Sequence, residues 1–150
     1  MKAKFLKSGE GEALRVLGTG ATVKVDADET GDAMEFVVMD AVRGGDLVPH
    51  RHPWAETYFI LEGEIELQLG ARRNRMTAGD FATIPPRAVH AFSVVTDTAR
   101  FLHVSIGRGA TAAFEAANAE FPEVPTPADV PRLLELAAQF GIELVLPTAA

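Results

Sequence analysis

The chain has 150 residues but only four histidines, and two of them, His50 and His52, stand one residue apart in the stretch GGDLVPHRHP. Side chains two apart on an extended strand point the same way, so both imidazoles can reach one ion while Arg51 points away. Glu56 comes four residues after His52, past the bend expected at Pro53-Trp54, and starts the apolar run TYFIL. His90 follows IPPRAV and opens the run VHAF. Three imidazole nitrogens and a carboxylate thus fall at strand ends beside proline turns, a donor set suited to a divalent transition metal. The chain has no cysteine, so nitrogen and oxygen alone would hold such an ion, and there is no disulfide framework. Each histidine taken singly also reads as a hydrogen-bonded core residue. His103, mid-strand in FLHVSI with no companion, is read that way.

The elements that must position these residues are mostly strands. Val16, Thr22, Val23 and Val25 are β-formers broken up by glycines, and MEFVVMDAV (34–42) is a stronger strand. TYFILEGEIELQL reads as two strands that break at Gly63; beyond it Glu64, Glu66 and Gln68 alternate with Ile65, Leu67 and Leu69, the period of a strand with one wet face. DFATIP, VHAFSVV and ARFLHVSI complete a run of short strands, as in a β-sandwich or barrel. The last quarter changes. ATAAFEAANAEF reads as a short helix, and FPEVPTPADVP as extended chain. RLLELAAQFG places Leu133, Leu136, Ala137 and Phe140 on one helical face, with Gly141 as the stop and IELVLP as a terminal strand. Such a face must cover either the chain's own barrel or a partner subunit.

The spacing resembles the two motifs of the cupin superfamily. Gly44, His50, His52, Glu56 and Gly63 match the first motif, and Gly79, Pro85 and His90 match the second. Arg87 stands where the family has glycine, and Val94 where it has asparagine. The resemblance, to small single-domain bacterial members of quercetinase-like type, implies an all-β fold: one jelly-roll barrel over residues about 14–108, with a helical and proline-rich C-terminal extension over about 110–150. It also implies one metal ion inside one end of the barrel, held by His50, His52, Glu56 and His90.

Such a ligand set leaves one or two coordination positions open, the mark of a working rather than a structural site. It suits Fe, Mn, Ni, Co, Cu or Zn, and the sequence does not choose among them. Glu56 can ligate or, off the metal, act as general base; Tyr58, the only tyrosine, shares its face and is expected to touch substrate. Ile60, Phe92 and Val94 read as pocket lining or as barrel core, and Arg87 as a rim residue or a solvated turn. Three activities fit: a dioxygenase acting on an enolisable or aromatic molecule, a Lewis-acid isomerase, lyase or cyclase without O₂, or a non-catalytic small-molecule binder. The net charge of −7 argues against nucleic acid as a partner, and the basic run Arg72-Arg73-Asn74-Arg75 reads as an exposed hairpin tip. With no apolar run of bilayer length and no signal-peptide pattern, no membrane partner and a cytoplasmic location are expected. A homodimer is expected from the amphipathic helix face together with edge strands that need cover.

Overall fold

Burial alternates residue by residue along Thr98–Ile106: Ala99, Phe101, His103 and Ser105 point inward while their neighbours are partly or fully exposed. This strand, β10, lies inside a six-stranded sheet and pairs on one side with β3 (Met34–Val42) and on the other with β5 (Ala55–Glu62). The sheet continues outward to β2 (Thr19–Val25) and β1 (Glu12–Val16) at one end and to β8 (Phe81–Ile84) at the other. The second sheet has the order β11 (Glu143–Leu144), β4 (Leu47–Arg51), β9 (His90–Val94), β6 (Ile65–Leu69) and β7 (Arg72–Met76). All these pairings are antiparallel. The computed structural model describes residues 1–145, so the last part of the expected terminal strand IELVLP lies outside the described residues. The strands form two sheets with free edges rather than a fully closed barrel, and the jelly-roll class stands.

Side chains from both sheets meet in one core that includes Val37, Ile60, Ile65, Leu67, Ile84 and Phe101. Burying an aliphatic side chain of this size stabilises the fold by roughly 1.5–3 kcal/mol. Gly63 turns the chain between β5 and β6 at φ 73°, where a Cβ would collide with the Thr98 carbonyl. Glycine is therefore required there by both conformation and space.

Two local expectations are corrected, and one short helix is added. Arg72-Arg73-Asn74-Arg75 belongs to strand β7, because the turn comes earlier, at Gly70 (φ 57°). Two of its arginines pair with acids, Arg73 with Glu66 of β6 at 2.6 Å and Arg75 with Glu64 just before β6, and the charges blunt an exposed edge. A short helix α1 (Ala27–Thr30) interrupts the N-terminal strands; Asp26 caps it, and Glu29 returns a bond to the Asp26 backbone. The proline-rich stretch ends in a 3₁₀ turn, Pro127–Asp129, that leads into the next helix.

Two longer helices complete the chain, α2 (Ala110–Glu120) and α3 (Val130–Gln139). The fully buried Glu35 of β3 anchors α2 by accepting from the Thr111 N–H at 3.1 Å, the Thr111 hydroxyl at 2.6 Å and the Gly109 N–H at 3.3 Å. A carboxylate there satisfies orphan donors and complements the helix dipole. Gly141 (φ 71°) ends α3 as expected: its N–H bonds to Ala138 and that of Ile142 to Ala137. Arg132 ties α3 to Glu120 of α2 at 2.7 Å. Among the described residues no helix is long and apolar enough to cross a membrane.

Candidate metal centre

β4 and β9 lie side by side with His50 opposite His90. The register slips between Leu47 and His50, where Pro49 has no N–H to give the ladder, and this bulge re-aims the end of β4. His52 lies just past β4, and Glu56 is on β5. The structure brings all four residues together, each no more than 6% exposed. The ligating atoms of His50, His52 and His90 lie within 4.8 Å of one another. Glu56 adjoins this trio, with Oε1 2.8 Å from His90 Nε2 and Oε2 3.1 Å from His52 Nε2.

Each ring of the trio is fixed in the same way. Nδ1 of His50 donates to the Val48 carbonyl at 2.9 Å, that of His52 to Trp54 at 3.0 Å and that of His90 to Ala88 at 2.9 Å. A carbonyl can only accept, so in each neutral ring the proton is on Nδ1 and the lone pair on Nε2. Among the described residues, His52 Nε2, His90 Nε2 and Glu56 Oε1 are buried and find no hydrogen-bond partner. Lone pairs facing one another in a buried site are unfavourable unless a cation stands among them. The donor set therefore fits a divalent metal, and backbone carbonyls already hold the imidazoles in the ligating tautomer.

Burial, and next the charge of His90, push the His50 imidazole down to about 4. Burial pushes Glu56 up, but the surrounding imidazoles, His103 foremost, more than offset this and hold it well below the usual carboxylate range. Burial, with the Glu56 charge second, raises Tyr58 well above its usual value, so it stays a protonated donor.

His103 is the site residue that sequence reasoning missed. It is buried on β10, opposite Tyr58 in register, and its Nε2 donates to Glu56 Oε2 at 2.7 Å. The alternation of β10 put it on the inner face with Phe101; only the pairing of β10 with β5 places it beside Glu56. Arg87, which replaces the expected glycine, takes glycine's left-handed conformation (φ 63°) and donates its N–H to the His52 carbonyl at 2.7 Å. That conformation costs an ordinary residue about 1–2 kcal/mol. The Arg87 side chain reaches the rim, 3.9 Å from Glu143.

A cavity of about 130 Å³ opens beside His50, His52, Glu56 and His103. Tyr58 and Phe92 line it as expected, while Ile60 and Val94 belong to the core. Trp54 stacks on His52 with ring centroids 4.2 Å apart. The far wall is the apolar face of α3: Leu133, Leu136, Ala137 and Phe140 all face the cavity. The helix thus covers its own barrel, and that face no longer argues for a dimer.

The family model described as Cupin domain matches residues 37–105, which span both histidine motifs. This chain contains a cupin domain. The chain is 32% identical over 99 residues to quercetin 2,3-dioxygenase of Bacillus subtilis (strain 168), a match covering 65% of this chain and 29% of that protein. It therefore spans less than a third of that relative's length. Two solved structures share this fold. KdgF from Halomonas sp. aligns with a TM-score of 0.65 at 17% identity, over 73% of this chain and 99% of that one. The polyketide cyclase RemF from Streptomyces resistomycificus aligns at 0.61 and 23%, over 70% and 80%. Identities this low speak to fold alone.

Proposed function

We propose that this cupin is a metal-dependent dioxygenase acting on a small enolisable or aromatic molecule. The observation that carries the reading is the convergence of three imidazole lone pairs beside Glu56 at the edge of an apolar cavity. The 32% identity to a protein named quercetin 2,3-dioxygenase supports the choice of reaction. His50, His52 and His90, with Glu56 as fourth donor, would hold a divalent ion, which would supply Lewis acidity and a path for electrons to O₂. Once off the ion, Glu56 would take the acidic proton of the substrate on Oε1, the oxygen that His103 does not hold. His103 holds the other oxygen and fixes the plane of the carboxylate. The Tyr58 hydroxyl remains a donor to a substrate oxygen, and the apolar wall keeps water out. O₂ is the oxidant, and both its atoms enter the product.

The test is metal analysis of the purified protein, then oxygen-electrode assays of metal-loaded protein with enolisable aromatic ketones and diphenols. Oxygen uptake with product formation is expected. Turnover without uptake would replace this reading by Lewis-acid isomerase, lyase or cyclase chemistry, for which Glu56 is equally placed as base. Tight binding with no turnover would leave a small-molecule binder.

A further inference from the structure

We propose that the cavity beside the metal centre takes an uncharged, largely apolar molecule about one aromatic ring in size, and that α3 sets the size limit. This rests on the reading of the site as a metal centre that acts on a small molecule. Size comes first. The cavity measures about 130 Å³, close to the roughly 150 Å³ of an engineered apolar cavity that binds benzene. Its outer wall is built from Leu133, Leu136 and Phe140 of α3 together with Phe114 of α2. That wall is held in place: Arg132 joins α3 to Glu120, and Glu143, just beyond α3, pairs with Arg51 at 2.7 Å. A molecule of two or three fused rings needs the space that these side chains fill.

Charge comes second. Among the described residues no lysine or arginine lines the cavity, whereas two carboxylates, Asp46 and Glu56, do. Asp46 is fixed there by the Val94 N–H, which donates to its Oδ1 at 3.0 Å. The buried Glu56 offsets half the charge of a divalent ion, and the exposed Asp46 adds a second negative charge to the lining, which disfavours an anionic ligand. A carboxylate entering this site would lose its hydration with no cationic side chain in compensation, a costly transfer. A neutral ligand meets no such penalty and gains from the apolar walls.

An isosteric pair isolates charge from shape. Benzamide and benzoate have the same size, and calorimetric titration of metal-loaded protein without oxygen compares them directly. Benzamide is expected to bind at least about tenfold more tightly; equal or tighter binding of benzoate would overturn the proposal, as would failure of benzamide to bind at millimolar concentration. For size, 1-naphthamide is expected to bind the native protein at least about tenfold more weakly than benzamide. Phe140→Ala and, separately, Leu136→Ala are expected to narrow that gap with metal content unchanged. Native protein that accepts both amides alike would overturn the role of α3. The oxygen electrode separates this proposal from the dioxygenase reading. Oxygen uptake with benzoate or a three-ring flavonol would keep that reading and refute the size-and-charge limit. Benzamide binding as expected, with no uptake from any aromatic substrate, would do the reverse.

Discussion

His50 offers a quantitative test of how the site is built. Its ring is 6% exposed, with the His90 ring 4.2 Å away, and burial pushes its pKa from an ordinary 6.5 down to about 4. As pH falls below 6.5 the unfolded chain takes up a proton that native His50 refuses until about pH 4. The unfolded state binds more protons across that window, so stability is full above pH 6.5 and is lost as the pH drops toward 4. The loss from His50 alone amounts to about 3 kcal/mol over the whole window and about 2 kcal/mol between pH 7 and pH 5. Chelator-treated protein is the right material, since a bound ion would add its own proton linkage. The control is His50→Asn, which does not titrate and whose amide N–H stands where Nδ1–H donates to Val48. Urea unfolding at the two pH values should show native protein losing about 2 kcal/mol more than the variant. Equal losses in the two proteins would refute the account of His50 as a neutral, desolvated ring.

His52→Ala, and the double change His50→Ala with His90→Ala, should lose bound transition metal in plasma-emission analysis; full metal content in the double variant would remove those imidazoles from the ligand set. Metal-saturated Glu56→Gln should turn over on the order of a hundredfold or more slowly, because an amide does not take up a proton near neutral pH, and near-normal rates would leave Glu56 a ligand only. His103→Leu deprives the buried Glu56 of a charged hydrogen bond and should cost about 1.5–3 kcal/mol in urea unfolding. His103→Gln, which keeps an N–H donor, should recover part of that, and an unchanged midpoint in the leucine variant would deny His103 its positioning role. Light scattering at high micromolar concentration should give twice the 16.0 kDa of one chain. The exposed, register-paired Phe59 and Phe81 on β5 and β8 now motivate this expectation, and a monomer mass would end it.

The trio was legible in the sequence because its signal is local: a spacing of two, a proline before each strand end and matched motif glycines. The same holds for β3, whose β-forming stretch spans Met34–Val42 as read, and for the helix stop at Gly141. Partners far apart in the chain were not legible. His103 and Glu56 are 47 residues apart and meet only through the register of β10 on β5. The periodicity of α3 announced an apolar face without saying what it covers. Arg72–Arg75 misled because an edge strand exposed on both faces has the composition of a turn. The Asp26–Glu29 capping box was written in the sequence and went unread among the turn residues around it.

The division of labour along the chain has an evolutionary corollary. His50, His52, Glu56, His90 and His103 all fall within residues 37–105, the stretch that matches the family model. The side chains that close the cavity opposite them, Phe114, Leu133, Leu136 and Phe140, all come later. The candidate metal donors and one wall of the cavity beside them are thus encoded in separate, consecutive segments. Drift in the last forty residues would re-dimension the chamber while leaving the candidate donors untouched, so descendants of one domain would diversify by exchanging tails. A graft of another cupin's C-terminal segment onto this domain would put that modularity to work.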